Sequence, residues 1–142
     1  MVLLGSTGSI GVNTLLVAKK FAIEVEVLVC GRNIKLLNEQ IKEHSPQVIV
    51  IANKEDITKV NHSHVYSGEE AILQVIEDSK SSLVVNALVG FLGLRPTLTA
   101  LKCKKKVALA NKESLVASGA FIDTSKIQPI DSEHFGLWYL LQ

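Results

Sequence analysis

The chain has 142 residues, of which 47% are hydrophobic and 20% are charged, and its net charge is +1. This length suits one compact domain, or one domain and the start of another. The 15 Lys and Arg against 14 Asp and Glu argue against a nucleic-acid partner bound through a general basic surface. No apolar run approaches the ~20 residues of a membrane-spanning helix, no secretory signal is recognisable, and the two cysteines have no disulfide-type or metal-type spacing. We therefore expect a cytoplasmic protein without a membrane partner.

Short apolar segments alternate with segments of helical periodicity along the chain. The predicted strands cover 2–4, 25–29, 48–51, a short piece within 60–66, 83–86, 107–110 and 127–130. The predicted helices cover 9–20, a segment around 36–41 that ends before Ser45, 69–78, 96–104 and 112–118. Because the strands are continuous apolar runs, the pattern predicts an α/β fold with a doubly wound, mostly parallel sheet of the Rossmann-like type, covered on both faces.

A lysine-rich segment and the apolar last segment of the chain each support a separate prediction. Lys102 and the run Lys104–Lys106 are expected to be a solvated helix end rather than a binding patch. The segment 135–142 is apolar, helix-like and without a polar finish, so we expect the chain to be the first part of a longer enzyme.

Three glycines, Gly5, Gly8 and Gly11, follow the first strand and open the first helix. In this position glycines permit a tight turn, a close approach to phosphate groups, and packing of the helix on the strand. The N–H groups from Thr7 to Ile10 then face an anion, and the hydroxyls of Ser6, Thr7 and Ser9 add donors. We predict nucleotide binding; the alternative is a plain tight turn between strand and helix. A P-loop is excluded because no Gly-Lys-Ser/Thr follows.

The end of the second strand indicates which dinucleotide is bound. An NAD site carries Asp or Glu there for the ribose 2′-hydroxyl, whereas this strand ends in Cys30-Gly31-Arg32-Asn33. A guanidinium can hold a 2′-phosphate, so Arg32 and Asn33 favour NADP over NAD. The alternative is that Arg32 is a solvated loop cation and Asn33 a helix N-cap.

Two polar clusters follow later strands, and each could be either functional or only a helix cap. Asn111-Lys112-Glu113 comes directly after a buried strand, where it either caps the next helix or places Asn111 and Glu113 near the nicotinamide ribose and Lys112 on an anionic or hydroxylated substrate. Asp131 and Glu133 point to the same side of an extended chain and suit Mg²⁺ or Mn²⁺; otherwise Asp131 caps the final helix. His44, His62 and His64 receive no role.

Four segments together resemble the 1-deoxy-D-xylulose 5-phosphate reductoisomerase family. They are Gly5–Gly11, the Asn86–Gly90 segment with Gly93 and Leu94, Leu109–Val116, and Pro129–His134. Their order and spacing also match. The family's enzymes are much longer, so the resemblance implies an NADPH-binding domain at 1–127 and the start of a catalytic domain, truncated here, at 128–142.

The resemblance also implies residue roles. Cofactor contacts fall on the glycine loop, the end of the second strand, and two later loops: Gly5, Ser6, Thr7, Gly8, Ser9, Ile10, Gly11, Gly31, Arg32, Asn33, Ala87, Val89, Asn111 and Glu113. Lys112 and Ser132 would bind the sugar phosphate substrate, and Asp131 and Glu133 would bind the divalent metal. Lys112, Asp131 and Glu133 would be the catalytic residues. The full enzyme is expected to be a homodimer.

By the same resemblance, the full enzyme rearranges 1-deoxy-D-xylulose 5-phosphate and reduces the product with NADPH to 2-C-methyl-D-erythritol 4-phosphate, a step of isoprenoid synthesis. The residues do not choose between a retro-aldol/aldol route and a 1,2-shift. One rival is another NAD(P)-dependent dehydrogenase, but the short-chain type needs Tyr-x-x-x-Lys, and Tyr66 is followed at that offset by Glu70. The other rival is a non-catalytic nucleotide-binding module, which would need neither Lys112 nor the acidic pair.

Overall fold

The structure is a computed structural model, and it describes residues 1–110 and 124–130. Seven strands and four helices of eight or more residues lie in these ranges. The strands are β1 (Val2–Leu4), β2 (Val27–Cys30), β3 (Val48–Ile51), β4 (Val65–Ser67), β5 (Leu83–Asn86), β6 (Lys106–Leu109) and β7 (Ile127–Pro129). The helices are α1 (Ser9–Lys20), α2 (Ile34–His44), α3 (Glu69–Asp78) and α4 (Leu94–Lys102). Short 3₁₀ turns cover Lys54–Lys59, Gly90–Gly93 and Thr124–Lys126.

All of these strands form one parallel sheet in the order β4-β3-β2-β1-β5-β6-β7. The chain runs outward from β1 through β2 and β3 to β4, then crosses to β5 on the other side of β1. This order confirms the predicted doubly wound parallel sheet. The direction of winding reverses between β1 and β5, and a crevice opens at the carboxyl ends of the strands at such a point.

Helices cover both faces of the sheet, which is why the strands are apolar throughout rather than alternating. On the α1 face, the buried core joins Leu3 and Leu28 to side chains of α1 and α2 such as Leu15 and Leu37. On the α3 face, neighbouring strand residues pack with side chains of α3 and α4. Each strand therefore contributes alternate residues to two cores, and both must be apolar.

The lysine run differs from its expectation. Lys102, Lys104 and Lys106 are exposed, as predicted, but Lys105 is only 8% exposed. Its ammonium donates to the carbonyl oxygens of Ser79 and Ser81, each at 2.8 Å, and to the Ser79 hydroxyl at 3.0 Å. The prediction of a solvated position was wrong for Lys105, because a turn from a distant part of the chain supplies three acceptors that satisfy the buried charge.

The same turn is held from its other side by Glu26. The Glu26 carboxylate accepts hydrogen bonds from the backbone N–H groups of Lys80 at 2.9 Å and Ser81 at 2.8 Å, and from the Ser81 hydroxyl. Together with Lys105, this carboxylate fixes the connection between α3 and β5 at the amino edge of the sheet, away from the crevice.

No helix within the described ranges is both long enough and apolar enough to cross a membrane.

We predict that Glu26 makes folding stability depend on acidity. Burial alone would raise the pKa of Glu26, but hydrogen bonds from Ser81 and Lys80 and the nearby amino terminus hold that pKa below the ordinary value of 4.5. The stabilisation is therefore present above the unfolded-state pKa and is lost as the pH falls through the lower folded-state pKa. Replacing Glu26→Gln should lower the free energy of unfolding near neutral pH by about 1.5–3 kcal/mol, the usual worth of hydrogen bonds to a charged group. Urea unfolding followed across the acidic range measures this effect.

The matched control is Glu77→Gln on exposed α3 surface, which should leave the pH profile of the parent chain unchanged. An unaltered pH profile in the Glu26 variant would refute the assignment.

Candidate functional site

Three loops meet at the carboxyl edge of the sheet, beside the point where the winding reverses. They follow β1, β2 and β5, which are neighbours in the sheet. The backbone N–H groups of Gly5 and Ser6 both donate to the carbonyl oxygen of Val29 at 2.9 Å, and the N–H of Ala87 donates to that of Leu4 at 2.9 Å. The three loops are therefore joined by backbone hydrogen bonds into one surface.

The glycine loop is fixed by two close approaches. Gly5 has φ +83°, and a Cβ at this residue would lie 2.7 Å from the carbonyl oxygen of Ala87. A Cβ at Gly11 would lie 2.2 Å from the carbonyl oxygen of Gly5, inside any allowed contact. Gly8 has more room, with the nearest such atom at 3.5 Å. Gly5 and Gly11 thus let the loop fold tightly against α1 and β5, while Gly8 is exposed at the surface.

The first turn of α1 presents unused backbone donors to the crevice. Gly8 is the N-cap and offers no side-chain acceptor to the helix. Within the described residues, the N–H groups of Thr7, Ser9 and Ile10 have no hydrogen-bond acceptor. Free N–H groups at a helix N-terminus carry partial positive charge and bind phosphate-like anions. This is the geometry that the glycine spacing predicts for an anion site.

Ser6 lies on the inner side of this loop. Ser6 is fully buried, and its hydroxyl has no hydrogen-bond partner among the residues that the structure describes. The Ser6 carbonyl oxygen accepts a hydrogen bond of 2.8 Å from the side-chain amide of Gln40, a buried residue of α2. The predicted cofactor contact of Ser6 stays a prediction, whereas no role was predicted for Gln40 from the sequence. The only available signal was its place among the core positions Leu37 and Ile41.

The loop after β2 exposes all three residues that were predicted to bind the 2′-phosphate. Gly31, Arg32 and Asn33 are exposed, and a Cβ at Gly31 would meet no atom within 4 Å. The Asn33 side-chain oxygen accepts the N–H of Leu36 at 3.2 Å and caps α2. The capping alternative therefore holds for Asn33, and Arg32 is an exposed residue of the same loop.

Cys30 connects this loop with the glycine loop, a role that the sequence did not reveal. Its Sγ lies 3.4 Å from the Thr7 hydroxyl and 3.7 Å from the carbonyl oxygen of Asn33. Burial raises the pKa of the Cys30 thiol, so it stays protonated at neutral pH. The thiol can then act as a hydrogen-bond donor between the two segments predicted to bind the cofactor.

Asn86 shapes the loop that follows β5. Its buried side-chain amide donates to the Gly93 carbonyl oxygen at 2.8 Å and to the Thr97 hydroxyl at 2.9 Å, and its oxygen accepts the N–H of Leu88 at 3.2 Å. The loop so held carries Ala87 at its base and Val89 at its tip, where 80% of Val89 is exposed. These two predicted cofactor residues thus flank the crevice on the side opposite Arg32.

The remaining predicted site residues lie outside the described residues. They are Asn111, Lys112, Glu113, Asp131, Ser132 and Glu133. The chain leaves β6 at Leu109 and β7 at Pro129, and both ends lie at the crevice edge because the sheet is parallel. Among the described side chains, no group of three or more His, Cys, Asp or Glu could hold a metal ion.

A family model described as 1-deoxy-D-xylulose 5-phosphate reductoisomerase matches residues 1–119. The chain belongs to this reductoisomerase family. It is 63% identical over 141 residues to the 1-deoxy-D-xylulose 5-phosphate reductoisomerase of Nautilia profundicola, covering 99% of this chain and 38% of the relative. The reductoisomerase of Wolinella succinogenes is 56% identical over 143 residues, covering 99% of this chain and 40% of that relative. The chain therefore spans about two fifths of the length of these curated relatives.

Solved reductoisomerase structures share the fold. The enzyme from Zymomonas mobilis in complex with NADPH superposes with a TM-score of 0.84 at 33% identity, covering 94% of this chain and 39% of that chain. A reductoisomerase in complex with magnesium gives a TM-score of 0.85 at 32% identity, covering 94% of this chain and 37% of that one. The described sheet is thus the amino-terminal Rossmann-like domain of the family's structures.

We predict that Gly11 and Gly31 differ sharply in their tolerance of a methyl group. The Gly11→Ala variant forces its Cβ onto the Gly5 carbonyl and should cost about 1–3 kcal/mol in the free energy of unfolding, the usual cost of overpacking. The Gly31→Ala variant has open space and serves as the matched control, with unchanged stability expected. Thermal or urea unfolding of both variants measures the difference, and equal stabilities would contradict the described loop geometry.

Proposed function

We propose that this chain is the cofactor-binding part of an NADPH- and divalent-metal-dependent enzyme that converts 1-deoxy-D-xylulose 5-phosphate to 2-C-methyl-D-erythritol 4-phosphate. The observation that carries the proposal is that the N–H groups of Thr7, Ser9 and Ile10 have no acceptor among the described residues and lie at the same sheet edge as exposed Arg32, in a chain of this family. A step in isoprenoid synthesis in the cytoplasm follows from the same assignment. The cofactor-binding domain extends over 1–127, and 128–142 begin the catalytic domain.

The described residues fit a dinucleotide phosphate. Thr7, Gly8, Ser9 and Ile10 would hold the pyrophosphate through the helix N-terminus, where negative charge is stabilised. Arg32 would hold the adenosine 2′-phosphate with its planar donor fork, next to Gly31 and Asn33. The residues at the end of β2 favour NADPH over NADH because they include a cation and no carboxylate. A free ribose 2′-hydroxyl would have no carboxylate there to accept its hydrogen bond. NADPH when bound supplies the hydride that reduces a carbonyl carbon.

The opposite wall of the crevice would hold the nicotinamide end. Ala87 and Val89 lie on the loop fixed by Asn86, and the apolar tip of this loop suits the flat face of a ring. Asn111 and Glu113 would complete the cofactor contacts from the end of β6. The two walls are separated by β1, so an extended dinucleotide would cross the sheet edge above Leu4.

The chemistry proper is proposed for residues that follow β6 and β7. Lys112 would provide a fixed positive charge and donors to the sugar phosphate, and Ser132 a further hydroxyl. Asp131 and Glu133 are hard oxygen donors that would bind Mg²⁺ or Mn²⁺, which polarises neighbouring carbonyl and hydroxyl oxygens. By resemblance to the family, the complete enzyme would act on its small sugar phosphate as a homodimer.

We expect Arg32 to determine the preference for the phosphorylated cofactor. In the Arg32→Ala variant, the dissociation constant for NADPH should rise roughly 10- to 100-fold, which corresponds to losing a charge-assisted hydrogen bond. The dissociation constant for NADH should not change, because NADH lacks the 2′-phosphate. Titration calorimetry with both cofactors measures the ratio.

Lys42→Ala is the matched control for this experiment. Lys42 is an exposed cation at the far end of α2, near the opposite edge of the sheet, and its removal should leave both dissociation constants unchanged. A ratio of NADPH to NADH affinity that survives Arg32→Ala would refute the 2′-phosphate assignment.

We also predict that residues 1–142 suffice for cofactor binding, whereas turnover requires a longer protein. Residues 1–142 alone should bind NADPH but not oxidise it with 1-deoxy-D-xylulose 5-phosphate, because the relatives carry about three fifths of their length outside the matched part. A reading frame of the relatives' length that contains this chain should oxidise NADPH with this substrate and Mn²⁺. In that protein Lys112→Ala should lower kcat/KM at least about 100-fold, the scale of one lost electrostatic donor.

Absorbance at the NADPH band follows the reaction. A nucleotide-binding module without catalysis would bind NADPH in the longer protein but show no substrate-dependent oxidation. That result would reject the enzyme assignment and leave the cofactor site intact.

A further inference from the structure

Gln40 is a buried polar residue that contacts the glycine loop from α2. It lies beside the core residues Leu37 and Ile41 of that helix, and only 5% of it is exposed. Its side-chain amide donates to the Ser6 carbonyl oxygen at 2.8 Å, and its side-chain oxygen has no hydrogen-bond partner among the described residues. Burying an amide costs free energy unless it is hydrogen-bonded. Within the described part of the chain, the contact with Ser6 is the one hydrogen bond that offsets this cost.

The Ser6 carbonyl belongs to the peptide group that joins Ser6 to Thr7. This group is the centre of a β-turn, because the N–H of Gly8 donates to the carbonyl oxygen of Gly5 at 3.2 Å. The described residues contain no cis peptide bond, and in a trans peptide the C=O and the N–H point in opposite directions. Since the carbonyl oxygen points toward Gln40, the N–H of Thr7 points away from Gln40, toward the outer side of the loop.

The central peptide of a β-turn has two possible orientations, which distinguish type I from type II turns. The type II orientation needs a positive φ at the third residue of the turn, which is Thr7, and the φ of Thr7 is not positive. The reversed peptide would turn the Ser6 carbonyl oxygen outward, where its partial negative charge would repel a phosphate. The orientation of this peptide therefore decides whether the loop offers a donor or an acceptor to an anion.

We infer that Gln40 is a positioning residue for cofactor binding, because its side-chain amide holds the peptide between Ser6 and Thr7 with the Thr7 N–H facing outward. The inference rests on the proposed function, in which this N–H is one of the pyrophosphate donors. Positive φ is unfavourable for a β-branched residue, so Thr7 favours the same orientation from within the loop. Gln40 adds a constraint from α2, the helix that Asn33 caps, and one helix thus supports both loops proposed to bind phosphate.

Loss of the Gln40 amide would leave the Ser6 carbonyl buried without this partner, which is unfavourable. The peptide then relaxes by turning its oxygen toward water, and the Thr7 N–H turns inward. Because a bound pyrophosphate needs the original orientation, part of its binding free energy is spent on reversing this change, and the affinity falls. A purely structural role predicts a different result, in which stability falls and the affinity of the folded chain does not.

The test is the Gln40→Met variant of the 142-residue chain, since Met has a similar length and cannot donate a hydrogen bond. Its dissociation constant for NADPH should rise roughly 10-fold, the scale of one lost hydrogen bond to a charged group. Adenosine 2′-monophosphate has the 2′-phosphate but no pyrophosphate, so its dissociation constant should not change. Titration calorimetry measures both ligands. Gln74→Met is the matched control, because Gln74 is an exposed residue of α3 that bonds only to Asp78 among the described residues, and both constants should stay the same.

The outcomes separate this inference from the proposed function. If the parent chain binds NADPH and the folded Gln40→Met variant binds it equally well, the inference is overturned and the proposed function stands. A variant that loses affinity for both ligands to the same extent also overturns it, because the damage is then not confined to the pyrophosphate. A parent chain that does not bind NADPH rejects the cofactor assignment and this inference together.

A measurement on the parent chain is decisive if Gln40→Met does not fold. By NMR spectroscopy, the side-chain amide protons of Gln40 should exchange with solvent severalfold more slowly than those of Gln74, with and without NADPH, because they are buried and bonded. The backbone amide resonance of Thr7 should shift when NADPH is added and stay in place with adenosine 2′-monophosphate. Equal exchange at Gln40 and Gln74, or a Thr7 resonance that does not respond to bound NADPH, would refute the role of Gln40.

Discussion

The contact between Gly11 and the Gly5 carbonyl is the constraint on which the crevice depends. Only a hydrogen atom fits between them, since a Cβ at Gly11 would lie 2.2 Å from that oxygen. This contact brings the first turn of α1 onto the end of β1. The free N–H groups of Ser9 and Ile10 consequently lie at the sheet edge where the winding reverses. A helix displaced outward by one methyl group would keep its partial charge and lose its position over the crevice.

The loops of the site are held together rigidly, because residues of β2 contact both the glycine loop and the loop that follows β2. Its Val29 carbonyl accepts two N–H groups of the glycine loop, and its last side chain, Cys30, lies between Thr7 and Asn33. The groups proposed for the pyrophosphate and for the 2′-phosphate are thus fixed relative to each other before any ligand arrives. Such preorganisation reduces the ordering cost of binding. At the opposite edge, Glu26 and Lys105 fix the connection into β5 and hence the strand that carries the third loop.

Much of the fold could be predicted because strands and helices follow local patterns of apolar residues and glycines. Apolar runs predicted β1, β3 and β5, helical spacing predicted α1 and α3, and the glycine spacing predicted the tight turn between β1 and α1. The sequence failed where the partner is distant along the chain. Lys105 looks solvated among lysines, yet its acceptors Ser79 and Ser81 are 26 and 24 residues away. Gln40 and Cys30 likewise carry no local signal, because their roles arise only when α2 and β2 meet the glycine loop. For Asn33, the sequence predicted two possible roles, a contact to the 2′-phosphate and the N-cap of α2. The structure shows that its side chain caps α2.

The two faces of the sheet divide the work in a way that follows from handedness. Strands on the β2 side of the reversal receive helices on the α1 face, and strands on the β5 side receive them on the α3 face. The two walls of the crevice are therefore anchored in different cores. The glycine loop leads into α1, whose Leu15 and Ala18 are buried on one face, and the loop fixed by Asn86 leads into α4, whose Ala100 is buried on the other. Packing on each face of the sheet thus fixes one wall, and the shared strand β1 sets the distance between them.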